Sequence, residues 1–192
     1  MVQVSQTELV AGAIAGQVVS FPTDTVPALA VKPEQAELIY QLKKRPSNKP
    51  LILMGASIGE LLPYVVYTPS DLAVWQQLIE QYWPGALTLV LPASAKVPPG
   101  VNPTNFNTVG IRVPDRSIAL DILQQTGVLA TSSANISGQN TITTMSEIAL
   151  AFPKVLVLNT PTSQPSGSGL PSTVVSWQNQ KWQVLRQGSV KI

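Results

Sequence analysis

The sequence predicts an α/β domain built on a mixed sheet, and three observations lead there. Short apolar runs of strand length alternate with segments of helical apolar spacing along most of the chain, and a run of strands closes it. At 192 residues the chain is long enough for one domain with a sizeable core. Hydrophobic residues at 44% against charged residues at 11% call for such a core, while 17 prolines and 12 glycines call for many turns. Residues 1–192 are therefore expected to form a single, loop-rich domain.

Ser5-Gln6-Thr7-Glu8 has the form of a capping box, in which serine accepts from a first-turn N–H and Glu8 reaches back, so a helix is expected to run to about Ala15. "VVSFP" reads as a short strand stopped by Pro22. Pro33 suits the first turn of a second helix with Ala36, Ile39, Tyr40 and Leu42 on its apolar face. That helix is ended by Arg45-Pro46, because a residue before proline avoids the helical region. "LILMG" is a buried strand. A third helix starts near Ser70 and spaces Leu72, Trp75, Leu78, Ile79 and Tyr82 on one face until Pro84-Gly85 breaks it. "ALTLVLP" follows as a strand, residues 92–107 as a proline-rich surface loop, and "TVGIRVP" as a strand. Ser117 to Thr126 forms a helix closed by Gly127, and "VLATS" is the next buried strand. Thr144-Met145-Ser146-Glu147 is another capping box for a short helix, followed by the strand "VLVLN" and a flexible loop, "TPTSQPSGSG". "STVVSW" and "WQVLRQ" are the final strands, and their succession favours a mixed over a purely parallel sheet. The chain has no internal repeat.

Composition excludes several chemistries. With no cysteine and no histidine, disulfides, zinc-thiolate sites and His- or Cys-based nucleophilic catalysis are ruled out, and the remaining metal ligands favour a hard ion such as Mg²⁺ carried by a substrate phosphate. A net charge of +2 is too small to establish a nucleic-acid partner. No apolar run approaches the roughly 20 residues of a membrane span, and the N-terminus lacks a basic region followed by an apolar core, so no membrane partner and a cytoplasmic location are expected.

Charge distribution is more informative. From Leu38 to Gly59 there is no acidic residue, yet Lys43, Lys44, Arg45 and Lys49 fall within this stretch. Such a cluster is either a solvated cationic helix end complementing the dipole or an anion clamp, with Arg45 forking onto a phosphate or carboxylate and Lys43 and Lys49 as point charges. "TSSANISG", residues 131–138, is either a turn or a row of hydroxyls and amides at a strand end, where α/β sheets bind ligands. "FPTDTV" ends a strand with Thr23 and Thr25 flanking Asp24, again as a turn or a ligand wall. Neither a GxxxxGK phosphate loop nor a GxGxxG turn opening a helix is present, so any nucleotide is held by other means.

Taken in order, "FPTDTV", "RPSNKPL", "YWPGALTLVL", "TVGIRVP", "SSANISG" and "STVV" resemble the YrdC family of L-threonylcarbamoyladenylate synthases, as do Lys43-Lys44-Arg45 and Ser133-Ala134-Asn135 against its Lys-x-Arg and Ser-x-Asn pattern. The resemblance covers nearly the whole chain. It implies a twisted, open, mixed parallel and antiparallel sheet with a large concave, positively charged cavity. It also implies a nucleotidyltransferase that makes threonylcarbamoyl-AMP and pyrophosphate from L-threonine, bicarbonate and ATP, for the threonylcarbamoyladenosine of tRNA. By this resemblance Lys43, Arg45 and Lys49 meet phosphate and carbamate charge, and Ser133 and Asn135 fix the nucleotide. Ser172 and Arg186 close over the nucleotide, Thr108 and Arg112 form the cavity floor, and Thr23 and Thr25 line the threonine end. For Arg112 and Arg186 a purely structural role is the alternative. The chain ends six residues after Arg186, as in the short form of the family, which would need separate proteins to transfer its product to tRNA.

The chain departs from the pattern at Pro27-Ala28-Leu29-Ala30, where the family has an aromatic residue followed by Gly-Leu-Gly, and at Gln187, where it often has proline. An aromatic wall becomes a rigid ring, and two glycines gain side chains that penalise positive φ. Two other readings use the same residues: a non-catalytic module binding double-stranded RNA or tRNA, and a related enzyme adenylating a different amino-acid carbamate.

Overall fold

The computed structural model describes residues 3–105, 107–160 and 167–192. Its strands are β1 (Gln3–Val4), β2 (Val19–Phe21), β3 (Ala28–Val31), β4 (Ile52–Met54), β5 (Leu87–Pro92), β6 (Thr108–Arg112), β7 (Leu129–Ser133), β8 (Leu156–Leu158), β9 (Thr173–Gln178) and β10 (Lys181–Arg186). They join one open sheet in the order β1-β8-β2-β3-β7-β4-β6-β5-β9-β10. The pairs β1–β8, β2–β8, β4–β6 and β5–β9 run parallel and the other neighbours antiparallel, so the sheet is mixed.

Helix ends follow the side chains that cap them. In α1 (Gln6–Ile14), Glu8 N donates to Ser5 Oγ at 3.3 Å and Ser5 N to Glu8 Oε2 at 2.9 Å. The helix α4 (Pro69–Tyr82) begins just before the expected Ser70 because Thr68 and Asp71 form the same reciprocal pair, with Pro69 at the first helical position. Ser117–Thr126 is α5, closed by Gly127 at φ 74° as expected. Before α6 (Met145–Ala151), Thr144 Oγ1 accepts from Glu147 N at 3.3 Å, but Glu147 Oε2 takes the Thr144 hydroxyl instead of its backbone N–H, so the expected box is half formed.

One expectation is corrected, and two elements lie outside those expected. Pro33 opens a 3₁₀ turn, Pro33–Gln35, and the α-helix proper is α2 (Glu37–Lys43). It stops before Arg45-Pro46 because Lys44 takes left-handed φ 49°, ψ 43°, with Arg45 N donating to Tyr40 O at 2.9 Å and Lys44 N to Gln41 O at 3.3 Å, the bond pattern of a Schellman cap. Residues 28–31, read only as a departure from a pattern, form strand β3 between β2 and β7. Alanine disfavours strands and Pro27 and Pro33 mark turns, but pairing on both sides overrides propensity. The short helix α3 (Ile58–Leu61) was also not anticipated. Positions 161–166 of the expected flexible loop lie outside the described residues.

Two apolar clusters anchor the sheet. One gathers Leu9, Phe21, Leu29, Ile122, Ile148 and Phe152 around α1, α5 and α6, and the other gathers Ile39, Leu53, Trp75, Leu89, Ile111 and Val175 around α2 and α4. The period of two along a strand then fixes the opposite face. In β5, Leu87, Leu89 and Leu91 join the core while Thr88 and Val90 line a cavity, and in β6, Val109 and Ile111 go inward while Thr108, Gly110 and Arg112 line it.

Candidate active site

The cavity on that polar face has a volume of about 790 Å³, within the range of small-molecule sites. Arg45, Lys49, Arg112 and Arg186 are among its lining residues, and no carboxylate is, among the described residues. The positive charge on this wall is built by separate elements: the cap after α2, the turn before β4, the end of β6 and the end of β10.

Arg45 spends part of its guanidinium on its own turn. Nε donates to Lys49 O at 2.8 Å and Nη2 to Pro50 O at 2.9 Å, which fixes the head and leaves Nη1 without a protein acceptor among the described residues. Arg186 is held likewise, with Nη2 donating to Ser172 O at 2.8 Å and Nε to the same oxygen at 3.2 Å, while Ser172 Oγ shares a 2.8 Å hydrogen bond with Thr88 Oγ1. Among the described residues neither arginine has a carboxylate within ion-pair distance. Burial lowers the pKa of Arg45, and the nearby charge of Arg186 lowers it further. Two such cations facing one concavity form a site for a polyanion.

Arg112 differs because its charge is compensated. Nη2 pairs with Asp24 Oδ1 at 2.6 Å, Nη1 donates to Thr25 Oγ1 at 2.9 Å, and Nε donates to Gly85 O at 2.9 Å. Burial lowers its pKa and the charge of Asp24 opposes that. Arg112 thus both completes an internal ion pair and lines the cavity. The Thr23 hydroxyl donates to Val26 O at 2.7 Å, so in the 3.1 Å contact between Thr23 Oγ1 and Thr25 Oγ1 it is Thr25 that donates. Both threonine protons are therefore committed to protein acceptors.

Thr25, Arg45, Lys49, Thr108, Arg112, Ser133, Ser172 and Arg186 line the cavity; Thr23, Lys43 and Asn135 do not. Lys43 is fully buried behind the wall, where Nζ donates to Ser133 O and, at 3.2 Å, to Asn135 Oδ1. Burial, with a smaller contribution from Arg45, pushes its ammonium down to about 7. Asn135 Nδ2 closes the following turn by donating to Ile136 O at 2.9 Å and Gln139 O at 2.8 Å.

The cavity also holds Asn48, Thr88, Asn102, Thr131 and Thr141, which sequence reasoning had not assigned. Thr88 and Thr131 carried a usable signal: Thr88 is the one polar residue in the apolar strand β5, and Thr131 opens the hydroxyl row 131–138, two positions before Ser133 on the same face. Nothing in the sequence marks Asn102, brought in by the 3₁₀ turn Pro99–Val101.

A family model described as Sua5_yciO_yrdC, telomere recombination, matches residues 14–188. The threonylcarbamoyl-AMP synthase of Bacillus subtilis is 33% identical over 181 residues, 91% of this chain and 50% of the relative. That of Vibrio campbellii is 33% identical over 182 residues, 90% of this chain and 93% of the relative. The crystal structure of P. abyssi Sua5 complexed with L-threonine superposes with a TM-score of 0.83 at 28% identity, covering 97% of this chain and 55% of that one. The chain thus spans about half the length of the Bacillus and P. abyssi proteins and nearly all of the Vibrio one. With its mixed sheet, its acid-free cationic cavity and a family match running almost from end to end, the chain belongs to the Sua5/YciO/YrdC family.

Proposed function

We propose that residues 1–192 act as one YrdC-like domain that synthesises threonylcarbamoyl-AMP, releasing pyrophosphate from ATP with L-threonine and bicarbonate as co-substrates. The observation that carries this reading is the pairing of Arg45 and Arg186, neither with a carboxylate partner among the described residues, across a cavity large enough for a nucleotide. The relatives named threonylcarbamoyl-AMP synthase and the threonine-bound structure support the choice of substrates.

The chemistry suits a site without histidine. Threonine's amine, having lost its ammonium proton, adds to CO₂ drawn from bicarbonate, and the second amine proton leaves with the hydroxide freed from bicarbonate as water, which gives a carbamate. A carbamate oxygen attacks the α-phosphorus of ATP as the bond to the β-phosphate oxygen breaks and pyrophosphate leaves. Alignment and charge neutralisation dominate such a transfer. Arg45, Lys49 and Arg186 would neutralise the phosphates, and Arg112 with Thr25 would border the amino acid. Thr108, Ser133 and Ser172 would hold the nucleotide, and Lys43, Asn135 and Thr23 would act from behind the wall. Among the described residues no group of three or more His, Cys, Asp or Glu could hold a metal ion, so Mg²⁺ would enter on the phosphates of its ATP substrate.

No helix among the described residues is long and apolar enough to cross a membrane, and we place the reaction in the cytoplasm, with separate transfer proteins carrying the product to tRNA. Mass spectrometry after incubation with ATP, bicarbonate and threonine should detect threonylcarbamoyl-AMP with one pyrophosphate per product. Double-stranded RNA or tRNA binding that weakens steeply with salt, without pyrophosphate release, would replace this reading.

A further inference from the structure

The hydroxyl of Ser133 faces the cavity with its proton already spent. Ser133 Oγ lies 2.6 Å from Asn135 Oδ1, and the orientation of that amide is not free. Asn135 Nδ2 meets two backbone carbonyls, Ile136 O and Gln139 O, while Oδ1 also accepts from Lys43 Nζ. Flipping the amide would set its oxygen against two carbonyl oxygens and its NH₂ against the lysine. Oδ1 can only accept, so Ser133 must donate to it. Lys43 needs two N–H groups for Ser133 O and Asn135 Oδ1, and these remain even when the amine is neutral.

We propose that Ser133 is a hydrogen-bond acceptor toward the substrate, set in that polarity by Asn135 and Lys43 as positioning residues, and that it reads a ligand hydroxyl and not a phosphate oxygen. Its remaining lone pairs repel phosphate oxygens and suit an O–H donor. In the proposed reaction such donors are the ribose hydroxyls of ATP and the side-chain hydroxyl of threonine, so this inference rests on that reading and narrows it. The phosphates are left to the donor-only groups Arg45, Lys49 and Arg186, none of which competes for a proton.

Titration calorimetry, which needs no turnover, tests the proposal with ATP, 2′-deoxy-ATP, 3′-deoxy-ATP and pyrophosphate, and with threonine against 2-aminobutyrate, on wild type and Ser133→Ala. The affinity lost on removing the contacted hydroxyl from the ligand should be roughly 10-fold, as should that lost in Ser133→Ala, and the two losses together should not add. Non-additivity with one deoxynucleotide identifies ribose as the donor; non-additivity with 2-aminobutyrate identifies threonine. Pyrophosphate affinity should be unchanged. Asn135→Ala frees the Ser133 hydroxyl to donate as well as accept and should weaken discrimination against the deoxy ligand, whereas Asn135→Asp, which keeps an oxygen acceptor there, should retain it; a merely structural role predicts no such split. Losses that add for every ligand, or weaker pyrophosphate binding in Ser133→Ala, overturn the proposal even if the wild type makes the adenylate. A hydroxyl-selective Ser133 in a protein that makes no adenylate would instead overturn the proposed function.

Discussion

Arg112 Nη2 meets Asp24 Oδ1 at 2.6 Å, with the two side chains only 3% and 15% exposed. The pair joins the loop between β2 and β3 to the end of β6, 88 positions away, and Arg112 extends the junction to Thr25 and Gly85. Breaking one side leaves an uncompensated buried charge. Asp24→Asn should therefore lower stability by about 3–5 kcal/mol, read as a lower urea midpoint with an unchanged slope. A midpoint within error of wild type would show that solvent, and not Asp24, compensates the arginine.

Arg45 is both a scaffold for its own turn and a cation facing the cavity. Arg45→Ala removes the donors to Lys49 O and Pro50 O, at a cost of about 1–2 kcal/mol. Its effect on the reaction should be larger, with kcat/KM down by roughly 100-fold or more if the guanidinium meets charge in the transition state. Arg45→Lys keeps the charge but loses the fork, so it should restore little. Wild-type kcat/KM in Arg45→Ala would remove this residue from the chemistry.

Much of this arrangement was legible in the sequence because it is local. The caps at Ser5 and Gly127, the apolar stripe of α4 and the alternation in "LTLVL" each depend on residues a few positions apart. What was hidden depends on partners far along the chain. Strand β3 exists because β2 and β7 flank it, against the weak propensity of Ala28 and Ala30. Lys43 and Asn135 stood out as members of one basic or polar cluster each, but only the fold places them behind the wall and bonds them to one another across 92 positions.

Lys43 should make stability depend on pH in a definite direction. Burial lowers its pKa from 10.5 to about 7 in the folded protein, so between those values the unfolded chain binds more protons and folding releases one. The penalty is fully present below about pH 7 and fades as pH rises toward 10.5. The stability of wild type relative to Lys43→Met should accordingly rise by about 1.4 kcal/mol per pH unit between roughly pH 8 and 10. Denaturation at several pH values gives that slope, and a flat difference would mean the lysine stays charged when folded.

Lys44 occupies the left-handed position that ends α2, at φ 49° and ψ 43°. A side chain there costs about 1–2 kcal/mol, and glycine removes that cost while adding about 0.5–1 kcal/mol of chain entropy. Lys44→Gly should stabilise the protein by up to about 1 kcal/mol and leave Arg45 where it is, so Tm should rise with kcat/KM unchanged. A lower Tm would contradict the Schellman geometry.

Pro27 and Ala28 bear on which amino acid enters. Both line the cavity, and Pro27 O accepts from Ala134 N at 2.9 Å while Ala28 pairs with Phe21 and Ser133. The strain expected from side chains at Ala28 and Ala30 does not arise, since neither is among the residues with positive φ and both sit in strand β3. The substitution therefore alters the shape of the pocket and not its backbone. Because the protons of Thr23 and Thr25 are committed, any recognition of a substrate hydroxyl by Thr25 must use its remaining lone pair. Serine lacks one methyl of threonine and should lose only about 1–3 kcal/mol in kcat/KM, whereas valine, isosteric but without the hydroxyl, should lose more because a buried polar group is left unmatched. Pyrophosphate release with the three amino acids at equal concentration, in wild type and in Pro27→Tyr/Ala28→Gly, measures both effects. Threonine should lead in the wild type, and the double variant should change the order of serine and valine more than the affinity for ATP. A wild type that ignores threonine while the double variant uses it would leave the nucleotide site standing and assign the natural substrate to another amino acid, one shaped to the proline ring and the alanine methyl.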